Sequence, residues 1–432
     1  MSLHRRMLVG LIGGALLGAL AHALIARPEG APPADLAPAV DWLLTWVAKP
    51  VGQIFLRLLF MLVLPIILAA LALGVSGLGD ARDLGRIGLK TLAYTVVVSA
   101  IAVFIGLTLV NVLQPGGGMA PELRAKLVAG AAGRDLGLAT AAGFTSPIDM
   151  IIPSNVAKAM AEGSYLAVMF FGLMLGVGLA LVRTEAARHF EQSLQGLYDV
   201  SMRLVQLVLH LAPFGVAALM FSFTVELGWE ILQQLLYYVA VVVLGLAIHQ
   251  FVVYSLSVKL LGGMSPLRFF RDVRDAMITA FSTASSNATL PTALRVADES
   301  LRLPQNVARF VLTIGSTANQ NGTALFEGVT VLFLAQVYGV HLTLPAQALV
   351  VGICILAGIG TAGVPSGSLP VIAMILARVG VPIEGLGLII GVDRFLDMCR
   401  TTINVTGDLA AAVVVSRSEE RRLQRAARAT AR

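Results

Sequence analysis

The chain has 432 residues, of which 57% are hydrophobic and 13% charged, against about 25% charged in a typical soluble domain. Several apolar runs reach the roughly 18–20 residues that cross a bilayer, which excludes a soluble globular fold and points to an all-α polytopic membrane protein. The net charge of +6 does not indicate a nucleic-acid partner, because the basic residues sit in short loops and at the ends, HRR at 4–6 and RRLQRAARATAR at 421–432, as expected of cytoplasmic segments.

In chain order, a first span is expected over 8–26. No convincing small-residue cleavage site follows it, so it reads as a retained helix and not a signal peptide. A proline-containing stretch and WLLTWVAKPVGQIF lead into a second span at about 51–77, and the basic loop GDARDLGRIGLK precedes a third at 89–113. Residues 114–160 are Gly-rich and too polar to span, and belong outside. A fourth span, 163–182, ends in the basic RTEAARHFEQ, and spans five (196–225) and six (230–260) are joined by the acidic turn VELGWE. KLLGGMSPLRFFRDVRD then returns the chain to the basic side, so both termini are expected in the cytoplasm. Cys354 and Cys399 lie in apolar surroundings and read as free thiols. His210 and His249 read as packing residues within spans.

After residue 265 the pattern changes. ITAFSTASSNATLPTALRVA and ILAGIGTAGVPSGSLPVIAMILA are each apolar at the ends and broken in the middle, with hydroxyl-rich tips, SSNATLP (285–291) and VPSGSLP (364–370), just before Leu-Pro. Both read as re-entrant hairpins, about 267–297 and 344–378. Each precedes a span carrying a polar motif: NQNGT (319–323) after the first, GVDRFLDMCRTTINVTGD (391–408) after the second. A unit of hairpin plus interrupted helix occurring twice is the mark of an inverted-repeat transporter whose site lies near the midplane.

The second motif is the most informative stretch. At about 100° per residue, Asp393, Asp397, Arg400, Thr401, Asn404 and Asp408 fall within an arc of about 100°. Charges at that depth cost several kcal/mol unless paired, hydrated or bound. Three carboxylates against one arginine on that face leave spare negative charge, which suits a zwitterionic or anionic solute together with a cation. Arg400 calls for a carboxylate on the solute, and Asp397 favours an amino acid over a simple dicarboxylic acid, because a second anion there would be repelled.

SSNATLP, NQNGTALFEGVTVLF, GTAGVPSGSLP and LDMCRTTINVTGD, in that order and spacing, resemble the glutamate transporter family of dicarboxylate and amino acid:cation symporters. The resemblance covers nearly the whole chain and is strongest over 265–416. It implies eight transmembrane helices plus two re-entrant hairpins in an elevator-type homotrimer in the inner (plasma) membrane. The implied domains are scaffold spans 1–2 (1–80), span 3 with an external loop (81–160), scaffold spans 4–5 (161–228), a transport domain (229–416) and a basic cytoplasmic tail (417–432). It also implies that Asp397 holds the substrate ammonium and Arg400 the side-chain carboxylate, with Thr401, Asn404, Thr323, Ser286, Val364 and Ser368 completing the site. Asp408, Asn319, Asn404 and Gly315 match one sodium site; Thr361, Gly358 and Thr317 match a second. L-glutamate and L-aspartate are the leading substrates and a C4-dicarboxylate the alternative; no cofactor is implied.

The departures from the family concern coupling. Asn321 stands where sodium-driven members have an aspartate, Gln320 replaces a methionine, and Val98-Ser99 replaces Thr-Ser. All three weaken a third, deep sodium site, because an Asn oxygen brings no negative charge to a cation. Glu327 resembles a glutamate linked to proton movement in animal members. The expectation is proton-coupled symport, with sodium coupling as the alternative. Ala284 and Met398 occupy the two positions where members of the family carry an arginine, which leaves no residue for the potassium-linked or gating role assigned to it. The chain carries no HExxH helix and no nucleophile–base pair, so an intramembrane enzyme is not expected. A channel would build its filter from rings of groups contributed by several subunits.

Overall fold

Length and apolarity dictate helices, since buried backbone polar groups in lipid must be satisfied within the segment. The computed structural model describes residues 3–25, 37–76, 82–118, 125, 152–162, 165–182, 184–360 and 368–430, and these contain helices and no strand. In order, they are α1 (Leu3–Ile25), α2 (Ala37–Leu43), α3 (Lys49–Phe60), α4 (Val63–Ser76), α5 (Arg82–Leu113), α6 (Val156–Ala161), α7 (Tyr165–Leu181), α8 (Glu185–Leu227) and α9 (Glu230–Ile248). They continue with α10 (Tyr254–Leu260), α11 (Pro266–Asp272), α12 (Arg274–Thr283), α13 (Ser286–Arg295), α14 (Gln305–Ala318), α15 (Asn321–Tyr338), α16 (Leu344–Gly360), α17 (Leu369–Arg378) and α18 (Leu386–Thr430). Among the described residues, Arg86–Leu113 and Glu230–Leu260 are long and apolar enough to cross a membrane by length and composition. The segment expected to lie outside, 114–160, falls mostly outside the described residues.

Two packing groups stand out. In the first, α1 lies along α8, α3 packs on α8, and α4 packs on α7. Gly10, Gly14 and Gly18 put one bare face of α1 against α8. A Cβ on Gly10 or Gly14 would strike the backbone carbonyl of Pro213 or Ala217, and one on Gly18 would come within 2.7 Å of the Phe221 carbonyl. This is the small-xxx-small pattern that lets helices approach closely without a hydrophobic drive between them. His22 closes the same pair, its Nδ1 lying 2.7 Å from the Val225 carbonyl. In the second group, α5 packs on α15, and α12, α14 and α15 pack on α18. The groups meet where α18 crosses α8 and α1: Gly387 faces Phe223 and Gly391 faces Leu11.

Three boundaries differ from expectation. Most of GDARDLGRIGLK is not a loop but the start of α5, which begins at Arg82. RTEAARHFEQ is not a loop: Thr184 accepts from the Ala187 N–H at 3.2 Å and starts α8 at Glu185, an N-cap hidden inside a charged run. The tail after 416 continues α18 as helix to Thr430. Glu419 anchors it, its carboxylate meeting Arg86 Nη2 at 2.9 Å and Lys90 Nζ at 2.8 Å on α5. The bonds from Arg86 and Lys90 outweigh the effect of burial and hold the Glu419 carboxyl down at about 2.

Candidate functional site

Three helix interruptions build the site. The first lies between α14 and α15. Asn319 and Gln320 leave helical geometry (φ −111°, ψ 66° and φ −100°, ψ 55°), and the freed donors find partners on neighbouring helices. Gln320 N–H donates to the Gly358 carbonyl of α16 at 3.2 Å, and Gly322 N–H to Asn404 Oδ1 of α18 at 2.8 Å. Irregular backbone at this depth is therefore satisfied by one main-chain carbonyl and one polar side chain. The second interruption is the turn between α12 and α13. There Ala284 adopts the left-handed region (φ 47°) and Ser285 caps α13 by accepting from Ala288 N–H at 3.2 Å. The third separates α16 from α17; its tip, 361–367, lies outside the described residues, and with it Thr361 and Val364.

A serine, Ser286, stands at the start of α13 and another, Ser368, just before α17. Both hydroxyls are buried and make no hydrogen bond. A hydroxyl with no partner at a helix N-terminus is placed to donate to an anion, which the helix dipole also favours.

The polar face of α18 is buried as a unit: Asp393, Asp397, Arg400, Thr401, Asn404 and Asp408 are all inaccessible. Arg400 is 2% exposed. Its Nε and Nη2 reach Asp397 Oδ1 at 3.0 and 2.9 Å, its Nη1 reaches Asp393 Oδ1 at 2.9 Å, and its guanidinium carbon sits 4.3 Å from the Phe326 ring centroid. The count of one arginine against three carboxylates needs correcting. Arg394, 15% exposed, adds a second cation, its Nη1 lying 3.4 Å from Asp397 Oδ2. It was legible three residues before Asp397, one helical turn away. The charge left over belongs to Asp408 alone.

Deeper in, Asn404 Nδ2 donates to Thr323 Oγ1 at 3.0 Å and to Gln320 Oε1 at 2.5 Å. Asn319 Nδ2 donates to Asp408 Oδ1 at 2.9 Å, while Asn319 Oδ1 is buried without a hydrogen-bond partner. Gly315 lies so close to Asp408 that a Cβ would strike the carboxylate. Gly315, Asn319 and Asp408 thus come together, whereas the Asn404 side chain is spent on Gly322, Gln320 and Thr323. Thr317 Oγ1 donates to the Ile314 carbonyl at 3.0 Å, and the Gly358 carbonyl is held by Gln320.

The residues matched to a deep sodium site are joined by hydrogen bonds. Ser99 Oγ donates to Asn321 Oδ1 at 2.5 Å, Asn321 Nδ2 donates to Tyr254 Oη at 3.1 Å, and Tyr254 Oη donates to the Ile403 carbonyl at 3.1 Å. Val98 is buried beside them and brings no oxygen. Among the described residues no three His, Cys, Asp or Glu side chains cluster as metal ligands. Glu327, at the middle of α15, is fully buried with neither carboxyl oxygen hydrogen-bonded. His249 is also buried with both ring nitrogens unpartnered, at the start of a π-helical segment (His249–Val253), edge-on to Tyr254.

A family model described as the sodium:dicarboxylate symporter family matches residues 3–418. The chain belongs to that family. It is 32% identical over 383 residues to a proton/glutamate-aspartate symporter of Escherichia coli (strain K12), covering 88% of this chain and 87% of the relative. It is 33% identical over 375 residues to a proton/sodium-glutamate symport protein of Bacillus subtilis (strain 168), covering 86% of each. It is 30% identical over 417 residues to excitatory amino acid transporter 3 of Mus musculus, covering 86% of this chain and 79% of the relative. The resemblance read from the four motifs is therefore correct. Membership in a symporter family makes this a membrane protein and points away from an enzyme.

Proposed function

We propose that the protein is a secondary-active symporter that takes up acidic amino acids, L-glutamate or L-aspartate, and couples their entry to protons. The observation that carries this is the buried Asp393–Arg400–Asp397 ion pair, a dry site with one arginine for a carboxylate and one aspartate for an ammonium. Buried ion pairs of this kind contribute little net stability, so their place at an interrupted-helix site argues for exchange with a charged solute. The two unpartnered serine hydroxyls supply further anion donors. Glu327 supports the proton: both its oxygens are buried without a hydrogen-bond partner, and an intramembrane carboxyl so placed is a candidate proton carrier. Sodium coupling is the second reading, favoured by the free Asn319 Oδ1 beside Asp408. A C4-dicarboxylate substrate is the third, and would leave Asp397 to its arginines.

The α11–α13 and α16–α17 units would be re-entrant hairpins in a protein of eight spans, the second acting as gate. The α18 group would slide as an elevator along α1 and α8 over Gly387 and Gly391. The basic helical end of α18 and the basic N-terminus would lie in the cytoplasm of a plasma membrane. A homotrimer is supported by α8, which exposes Phe190, Leu197, Val200, Leu204, Leu207, Leu211 and Phe214. From Leu197 onward their alternating spacing of three and four residues is that of a helix–helix seam.

The deciding experiment is uptake of labelled L-aspartate and L-glutamate into proteoliposomes with inward proton and sodium gradients imposed separately. Proton-driven uptake in sodium-free buffer that is lost in Glu327→Gln supports the proposal. Strict sodium dependence untouched by Glu327→Gln overturns the proton coupling, and no uptake of either amino acid moves the substrate to a C4-dicarboxylate.

A further inference from the structure

A symporter that delivers its cargo must bring an empty site back across the membrane. An empty site with an unpaired aspartate would resist that return, because an unpaired buried charge is far more costly than a paired one. The ion pairs of α18 bear directly on this problem. Asp393 is held by Arg400, Asp397 Oδ1 by Arg400, and Asp397 Oδ2 by Arg394. Two carboxylates and two guanidinium groups close on one another within eight residues of one helix.

The two arginines are not equivalent. Arg400 is 2% exposed, is shared between both aspartates and stacks on Phe326, so it is fixed from several sides. Arg394 stands at the rim with 15% of its side chain exposed, and its 3.4 Å contact to Asp397 is longer than either of Arg400's contacts to that carboxylate. The contact to be given up when an ammonium arrives at Asp397 is therefore the one made by Arg394. A long side chain at the rim regains hydration when displaced, while a buried one does not.

We propose that Arg394 is the internal counter-ion of the empty carrier. It pairs with Asp397 when no substrate is present, yields that oxygen to the substrate ammonium on loading, and so lets the unloaded domain return without a bound cation in its place. The proposal rests on the reading of Asp397 as the ammonium-binding group. Two consequences separate Arg394 from a residue that merely holds the fold. Its loss removes a competitor for Asp397, so substrate binds more tightly. Its loss also burdens only the steps in which the site is empty.

The test compares net uptake with exchange in proteoliposomes. Labelled L-aspartate enters vesicles that hold either no substrate or saturating unlabelled L-aspartate, for the native protein, Arg394→Gln and Arg394→Lys. Exchange never carries the empty site across the membrane. Arg394→Gln is expected to slow net uptake about tenfold or more, to leave exchange near the native rate, and to lower the KM for L-aspartate; Arg394→Lys restores net uptake. Equal loss of both modes, or no change in either, overturns the proposal. A second measurement needs no variant: native net uptake is expected to be the same with potassium or choline inside, and a requirement for internal potassium also overturns it. Failure of the native protein to exchange aspartate at all would instead defeat the amino-acid reading on which the proposal stands.

Discussion

Asn321→Asp tests the assignment of the deep site most directly, because it changes charge at constant shape. In the native protein the amide is satisfied at both ends, Oδ1 by Ser99 and Nδ2 by Tyr254. In the variant Ser99 continues to donate and Tyr254 turns its hydroxyl from the Ile403 carbonyl to the new oxygen. The charge itself has no cationic partner among the side chains that touch Asn321. Leaving a buried charge uncompensated costs about 3–5 kcal/mol. At about 1.4 kcal/mol per factor of ten, that is roughly a hundredfold to a few thousandfold in the population of the competent state. A sodium ion bound by the carboxylate, Ser99 and nearby carbonyls would cancel most of this cost. Initial rates of labelled L-aspartate uptake are measured in proteoliposomes with external sodium replaced stepwise by choline, under a fixed proton gradient. The variant is expected to lose at least about a hundredfold in choline and to recover as sodium is added, with a steeper sodium dependence than the native protein. Uptake by the variant in choline at the native rate would refute the reasoning, since it would mean that the amide's neutrality is immaterial there.

Other contacts predict further outcomes. Gly391→Leu pushes a side chain into Leu11 at the crossing of α18 and α1; we expect aspartate affinity within about twofold of native and translocation slowed about tenfold or more, read by binding and exchange assays on the same preparation. Gly14→Leu sets a side chain against the Ala217 carbonyl, which cannot yield, and is expected to cost about 1–3 kcal/mol, seen as a lower melting temperature in detergent. Ser286→Ala and Ser368→Ala each remove a hydroxyl that has no partner in the empty protein, so stability is expected to hold while substrate KM rises about fivefold or more. Glu419→Gln lowers the melting temperature at pH 7. Because the folded carboxyl is held down at about 2, the native advantage is full above the ordinary glutamate range, declines as pH falls below it, and is gone near 2; a difference that grew on acidification would contradict the clamp.

The polar face of α18 was legible because a 3.6-residue period makes six scattered positions coincide, and nothing in an apolar helix rewards such a pattern except a site. The interruption at Asn319 and Gln320 was legible for a related reason: four consecutive small or amide residues stand between two apolar helices. Tyr254 was not foreseen. It reaches Asn321 from a helix 67 positions earlier, and no local pattern records a contact set by how α10 packs on α18. Arg394 lies in the quoted motif itself, and the sum of charges on the idealised face left it out because it flanks that face; a flexible arginine reaches across the angle a helical wheel treats as exclusion. The run RTEAARHFEQ was read by its charge alone, although Thr184 with Ala187 beyond it is a helix start.

The two interior carboxyls outside the ion pairs, Asp408 and Glu327, are furnished differently, and the difference bears on what each can carry. Asp408 has an amide donor on one oxygen, a glycine that admits it to the α14 backbone, and the free Asn319 Oδ1 alongside. That is a half-built oxygen cradle, which a proton would not need and a small cation would complete. Glu327 is fully buried in α15 with both carboxyl oxygens lacking a hydrogen-bond partner, flanked in sequence by Phe326 and Gly328 and within electrostatic range of Arg400. A proton neutralises such a group without bringing a shell of ligands, whereas a metal ion would demand several. The residues matched to the deep site, meanwhile, present a hydrogen-bonded amide in Asn321. On the proposed reading, the amide of Asn321 and the buried carboxyl of Glu327, one helical turn past Thr323, would together shift one unit of coupling from a cation that must be coordinated to a proton that need only be buried. At position 321 an amide in place of a carboxylate needs no repacking of the helices, because Asn and Asp share a shape.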